Sequence, residues 1–333
     1  MKILISGCTG FVGSHLADLC LEKGHKVYGT TRWRSNKENI FHILMKKDPN
    51  FELVECDVSD FLNVVNVISK IKPDIIFHLA AQSFVPSSWT SPTDTFVTNV
   101  LGTINILEAV RMVSKDIIVH IAGSSEEYGS VENIPIKETD PLRPLSPYGV
   151  SKCTQDLLGY QYHKSYGMNI IRTRGFNHSG PRRNPDFALS GFAKKATEIY
   201  LGLSEPIIKH GNLEAIRDFT HVKDMVRAYY ELAVNPIYGS IFSYGEVFNI
   251  CYGIGFTIKE ALDIIIKQAE ERFGGELVEI KLEQDPTRMR PSDVPILIGD
   301  NSKLKKAIGW NPEFDLVDII NDLLTYWENK LTI

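Results

Sequence analysis

The stretch Lys2-Ile3-Leu4-Ile5-Ser6-Gly7-Cys8-Thr9-Gly10-Phe11-Val12-Gly13 decides the fold. Its first five residues form a short apolar run, read as a strand buried on both faces. Gly7, Gly10 and Gly13 follow at three-residue spacing and open a helical pattern at roughly residues 12–23. A turn that brings backbone close to a pyrophosphate needs glycine, because side chains would block the approach. The helix beginning there offers unpaired N–H groups and the positive end of its dipole to an anion. A glycine triplet alone is common in structural turns. Set between a strand and a helix, it predicts a dinucleotide site.

Outward from that turn, apolar runs at Lys26–Thr30, Glu52–Glu55, Ile75–Leu79, Ile117–Ala122 and Asn169–Thr173 alternate with helical patterns near 61–71, 102–114 and 147–165. Repeated β-α-β units with short links predict a doubly wound parallel α/β sheet, the Rossmann arrangement. Beyond about residue 180 the alternation gives way to loops rich in Pro, Arg and Asn and to shorter helical segments. Gly309-Trp310-Asn311-Pro312 then introduces an amphipathic run to Trp327, read as a final helix on a smaller lobe. The expected organisation is a cofactor-binding domain over 1–175, with some later segments returning to it. A smaller substrate-binding lobe over 176–333 completes it.

Composition narrows the function. The 333 residues, 43% hydrophobic, can build a large core. With 36 basic and 41 acidic residues and a net charge of −5, the chain lacks the basic excess of a nucleic-acid binder. No run of about 18 apolar residues predicts a membrane span, and the N-terminus enters a strand rather than a signal peptide. Cys8, Cys20, Cys56, Cys153 and Cys251 share no close spacing, which predicts a reducing, cytoplasmic setting without disulfides or a metal site.

The end of the second strand addresses cofactor choice. An acid there would bond a ribose 2′-hydroxyl, and arginine a 2′-phosphate. Gly29-Thr30-Thr31-Arg32-Trp33-Arg34-Ser35 has no acid and two arginines, so NADP is expected, with NAD the alternative. Asp57 and Val58, after the third strand, are placed for the adenine edge, and Leu79, Ala80 and Ala81 for backbone passing close to the cofactor. Tyr148 and Lys152 lie four apart, on one helix face. An ammonium beside a phenol favours phenolate, so Lys152 is expected to lower the Tyr148 pKa and make it a usable base. Ser124, closing the preceding strand, would complete a hydrogen-bonded triad.

With these residues in place the chain resembles the extended short-chain dehydrogenases over essentially its full length. Within them it looks closest to enzymes of GDP-mannose-type sugars, the GDP-mannose 4,6-dehydratases and GDP-4-keto-6-deoxymannose reductases. The stretches that carry the resemblance are His78-Leu79-Ala80-Ala81-Gln82-Ser83, Gly123-Ser124-Ser125-Glu126-Glu127-Tyr128-Gly129 and Ser146-Pro147-Tyr148. Further ones are Phe176-Asn177-His178 with Pro181-Arg182-Arg183, Gly211-Asn212-Leu213 with Arg217-Asp218, and Arg290-Pro291-Ser292-Asp293-Val294.

The resemblance implies roles. Gly7, Gly10, Phe11, Val12, Gly13, Gln82, Ser83, His178 and Arg183 would contact the cofactor, and Lys152 its nicotinamide ribose. Ser124 would polarise the sugar C4 oxygen, Tyr148 would remove the C4 hydroxyl proton, and Glu126 would serve the elimination step. Ser83 and Ser125 would also touch substrate. Asn177, Arg217 and Arg290 would bind its diphosphate region and Asp293 its ribose. The implied reaction is a 4,6-dehydration of a GDP-sugar, GDP-mannose or GDP-manno-heptose. A 4-keto-sugar reductase or a 4-epimerase are the alternatives. Gly123, Ser124, Phe11-Val12 and Gly191 (dehydratases tend to have lysine there) lean towards the reductases, whereas Arg32–Ser35 and Pro181-Arg182-Arg183 lean towards the dehydratases. A cofactor-binding regulator without turnover is disfavoured because tyrosine and lysine are both present. The apolar positions Val150, Leu157, Leu158 and Tyr162 predict a helix that packs on a second copy, giving a homodimer or homotetramer.

Overall fold

A computed structural model describes residues 1–235, 243–274, 278–289 and 292–332. Seven strands form one sheet: β1 (Lys2–Ser6), β2 (Lys26–Thr31), β3 (Phe51–Glu55), β4 (Ile75–His78), β5 (Ile118–Ser124), β6 (Ile170–Gly175) and, from later in the chain, a strand at Val247–Ile250. Their order is Val247–Ile250, β6, β5, β4, β1, β2, β3, and every neighbouring pair is parallel. This is the doubly wound α/β sheet expected from the sequence. From β1 the chain passes to β2 and β3 on one side and then returns to β4 on the other, so a crevice opens at the carboxyl ends of β1 and β4.

Alternation along β1 sends Ile3 and Ile5 to one face and Leu4 to the other. Ile3 and Ile5 join a core with Leu16 and Ala17 of the helix Phe11–Glu22 and with Met225 and Leu232 of the helix Val222–Val234. Leu4 joins Val64 and Ile68 of the helix Phe61–Ile71 and Ile106 and Val110 of the helix Gly102–Val113. By length and composition the helical stretch Pro92–Val113, 22 residues, could cross a membrane. Ile106, Leu107, Ala109 and Val110 of this stretch are buried in the core, so it reads as a core helix.

The remaining strands are β7 (Asn177–Ser179), β8 (Ile207–His210), β9 (Ile216–His221), then β10 for Val247–Ile250, β11 (Gly255–Thr257), β12 (Lys281–Gln284) and β13 (Ile296–Leu297). In the smaller sheet β9 is flanked by β11 and β13 and also pairs with β7, while β8 and β12 form a separate ribbon. Helices Ala188–Tyr200, Ile258–Phe273 and Leu316–Leu331 supply a third core, with Phe192, Leu262, Ile320 and Trp327 at its centre. The last of these is the helix expected after Pro312. Trp310 packs elsewhere, buried in the core of the large sheet with its indole N–H donated to the Asp224 carbonyl at 3.2 Å.

Candidate active site

The crevice beside β1 is a cavity of about 340 Å³. Gly7 has φ +71°, a left-handed conformation that side chains disfavour. A Cβ on Gly13 would run into the Gly7 carbonyl oxygen. The turn is thus closed by backbone alone, with the Gly10 N–H donated to Gly7 O at 2.9 Å. Gly7, Gly10, Phe11, Val12, Gly13, Asp57, Val58, Leu79, Ala80, Ala81, Ser83, Tyr148, Lys152, His178 and Arg183 all line the cavity. A buried serine shapes its floor: the Ser6 hydroxyl accepts the Leu79 and Ala80 amides at 3.0 and 3.1 Å and meets His78 Nδ1 at 2.8 Å.

Not every expected residue arrives there. Arg32 and Ser35 line the cavity, but Arg34, exposed like its neighbour Trp33, does not. Gln82 lines an adjoining hollow of about 530 Å³ that shares Ser83 and Arg183 with the first. Its backbone is stitched to Asn99, which accepts the Gln82 amide at 2.8 Å and donates to the Gln82 carbonyl at 3.1 Å. Ser124, Ser125 and Glu126 line neither hollow; Ser125 is buried inside the turn after β5. Asn177 is exposed on β7 and Arg217 is buried on β9, its guanidinium 2.8 Å from Asp293. Two expected substrate groups therefore pair with one another. Arg290 lies outside the described residues.

Sequence reading missed Thr9, Thr30, Thr31, Cys56, Thr98, Ala122, Gly123 and Tyr229, which also line the cavity. Most lie within or beside expected motifs. Tyr229 arrives from the helix Val222–Val234 and had no local signal to find it.

The catalytic candidates converge for local reasons. Ser146 caps the helix Pro147–Tyr166 by accepting the Gly149 amide at 3.0 Å, and Pro147 sits in its first turn. Tyr148 therefore lies at the helix start, beside the carboxyl end of β5. Its hydroxyl shares a hydrogen bond with Ser124. One turn on, Lys152 Nζ donates to the Ala122 carbonyl at 2.9 Å and lies 5.9 Å from the Tyr148 ring centre.

The expectation that Lys152 lowers the Tyr148 pKa is not met. Burial pushes the Tyr148 phenol above its ordinary value; the Ser124 hydrogen bond pulls back, and the charges of Glu126 and Glu127 add to the rise. Burial also lowers Lys152 to about 8, so its own charge is costly here. His178 Nδ1 lies 2.8 Å from the Phe176 carbonyl, and burial lowers the ring to about 4, keeping it neutral. Arg183 stacks on the Phe187 ring at 3.4 Å and the Phe11 ring at 4.9 Å. Its Nε is buried with no hydrogen-bond partner among the described residues. A glycine cradle, a stacked guanidinium with an unsatisfied donor and a Tyr-Lys pair fit a nicotinamide dinucleotide.

Comparison with known proteins identifies the family. The family model for GDP-mannose 4,6 dehydratase matches residues 4–323. A GDP-mannose 4,6-dehydratase of Yersinia enterocolitica is 34% identical over 352 residues, covering 97% of this chain and 92% of that one. Among solved structures, RMD from Pseudomonas aeruginosa complexed with NADPH superposes with a TM-score of 0.80 at 26% identity over 99% of both chains. The UDP-glucose 4-epimerase of Thermus thermophilus complexed with NAD gives 0.82 at 26%, over 98% of this chain and 99% of that one.

Proposed function

The chain belongs to the GDP-mannose 4,6-dehydratase family, and on that basis we propose that it removes water from a GDP-hexose, GDP-mannose first, to form a 4-keto-6-deoxy sugar nucleotide. The observation that carries this reading is Glu126, a half-buried acid close enough to Tyr148 for its charge to raise the phenol's pKa. A simple reductase needs serine, tyrosine and lysine; an elimination also needs a base for carbon. The test is incubation with GDP-mannose, and separately GDP-manno-heptose, followed by mass measurement. Loss of one water is expected, and no loss from either substrate refutes the reading.

The glycine turn, Asp57, Val58, His178 and Arg183 would hold a nicotinamide dinucleotide. Bound and oxidised, that group would supply a hydride acceptor at C4 and donor at C6, and a positive charge that would favour the Tyr148 phenolate. The protein's own groups do the rest. Ser124 donates to the C4 oxygen while Tyr148 accepts the C4 hydroxyl proton. The resulting ketone acidifies the C5 hydrogen; Glu126 takes that proton and passes it to the C6 hydroxyl, which departs as water, and a solvent proton relayed by Glu126 then returns to C5. Arg217 suits the diphosphate because a guanidinium engages phosphate oxygens in pairs. We assign 1–175, with later segments including β10, to cofactor binding and most of 176–333 to the sugar nucleotide. Five buried free cysteines suit a cytoplasmic enzyme.

NADP is the better fit, because β2 ends in Thr30 and Thr31 without an acid and Arg32 then lines the cavity. A charge-assisted hydrogen bond is worth about 1.5–3 kcal/mol, and solvent at this exposed rim trims it. Arg32→Ala should therefore weaken NADP(H) binding by about tenfold, with NAD(H) nearly unaffected and Arg34→Ala close to wild type. Equal losses for both cofactors in a titration would show that Arg32 does not read the 2′-phosphate.

We also propose a two-fold dimer. Of the apolar positions expected on the helix Pro147–Tyr166, Leu158 and Tyr162 are used by the chain's own core, and Tyr162 donates to Glu108 at 2.7 Å. Val150, Leu157 and Tyr160 remain exposed, beside exposed Phe96, Val97 and Leu101 of the neighbouring helical stretch. Exposed apolar side chains on neighbouring helices suit a partner, and a self-complementary patch gives a dimer. Light scattering at micromolar concentration should give at least twice the monomer mass; Leu157→Glu should reduce it. A monomeric wild type would refute the assembly.

A further inference from the structure

Glu126 and Glu127 are adjacent acids with opposite surroundings. Glu126 is half-buried near Tyr148, whereas Glu127 is wholly buried behind the site. Glu127 Oε1 accepts the Ser124 amide at 2.7 Å, and the Ser124 hydroxyl accepts the Glu126 amide at 3.2 Å. The pair closes the short turn Ser125–Glu127 reciprocally. The other carboxylate oxygen, Oε2, accepts from Arg174 Nε at 3.1 Å. Arg174 also donates to Asp156 at 2.6 Å and to the Tyr128 hydroxyl at 2.9 Å. Asp156 lies one turn beyond Lys152 on the helix Pro147–Tyr166, which carries Tyr148 in its first turn. One chain of ion pairs thus ties the Ser124 turn to the helix of the Tyr-Lys pair.

Gly123 belongs to the same unit. A Cβ at that position would collide with Glu127 Oε1 and with the Thr173 carbonyl oxygen, so glycine there makes room for the carboxylate. Burial is costly for Glu127: it pushes the carboxyl above its ordinary value, Asp156 adds to the rise, and Arg174, the Ser124 amide and Lys152 pull back. Apolar residues of similar volume often serve stability as well as a buried ion pair. They cannot accept the Ser124 N–H.

We propose that Glu127 is a positioning residue of the reaction: its Oε1 fixes the turn that sets Ser124 and Glu126 against the Tyr148 hydroxyl. The inference rests on the functional reading of Ser124, Glu126 and Tyr148 given above. An oxygen acceptor works whether or not the group is charged, which sets the form of the test. Glu127→Leu should lower kcat on GDP-mannose by up to about 10²-fold, the scale of a misplaced catalytic group, with KM and NADP(H) affinity unchanged. Glu127→Gln, which keeps an oxygen at the Ser124 amide, should restore most of that loss.

A purely structural Glu127 would give a lower melting temperature in Glu127→Leu with unchanged kcat per folded enzyme, and that result overturns the proposal. So does a Glu127→Gln as impaired as Glu127→Leu. Should Glu127→Leu not fold, Glu127→Asp keeps charge towards Arg174 but withdraws the oxygen from Ser124. It must show the kcat loss, and unchanged kcat in it overturns the proposal too. Wild-type turnover of GDP-mannose is the control. Its absence would sink the functional reading, whereas an active wild type with an unimpaired Glu127→Leu would sink only this inference.

Discussion

Tyr148→Phe should lower turnover of GDP-mannose by about 10²–10⁴-fold or more, the usual contribution of a positioned general base. The ring keeps its packing in this substitution, and only the hydroxyl bonded to Ser124 is lost. Cofactor affinity should persist, because Lys152 is held independently by the Ala122 carbonyl and the glycine turn is untouched. Stability should change by only about 1 kcal/mol, the net worth of one hydrogen bond. The variant should bind NADP⁺ and GDP-mannose without any rise in reduced-cofactor absorbance. The wild-type pH profile carries the same logic. Burial lowers Lys152 to about 8, so its positive charge is present below that pH and lost above it. Activity that needs the ammonium should therefore decline as pH rises through about 8, well below the ordinary lysine range. A Tyr148→Phe enzyme with wild-type turnover would remove this tyrosine from the mechanism.

The parts of this site that are local in sequence could be read without a structure. The glycine turn is one strand-to-helix junction, and Tyr148 and Lys152 are one helical turn apart. Ser124 meets the Tyr148 hydroxyl because a strand end and a helix start lie at the same sheet edge. The failures have physical reasons. Arg32 and Arg34 are equivalent as letters, but the loop directs only Arg32 to the cavity. The Tyr148 pKa depends on burial, which spacing does not reveal, and burial outweighs the nearby lysine. Tyr229 joins the cavity only because its helix crosses the back of the sheet. Glu127, Asp156 and Arg174 meet because β5 and β6 are neighbours and the helix between them lies over both. The Arg217–Asp293 pair needed the small sheet, whose strands come from distant segments, before the two residues could be seen together.

Elimination is separated from simple reduction by Glu126→Gln. Amide and carboxylate are nearly the same size, so the substitution removes basicity and little else. The turn should survive it, since the bonds that close it are made by the Glu126 backbone amide and by Glu127. Fold and cofactor binding should match wild type. Removal of the C5 proton should not, and turnover of GDP-mannose should fall by about 10²–10⁴-fold. Incorporation of solvent deuterium at C5 should fall in parallel, because the same group handles that proton. Oxidation at C4 does not use Glu126, so reduced cofactor should accumulate with GDP-mannose in this variant, the reverse of Tyr148→Phe. The two substitutions therefore stall the reaction on opposite sides of the ketone. If Glu126→Gln instead reduces a 4-keto sugar as fast as wild type, and wild type dehydrates no GDP-hexose or GDP-heptose, the acid beside the triad is not a base for carbon and the chain works as a reductase.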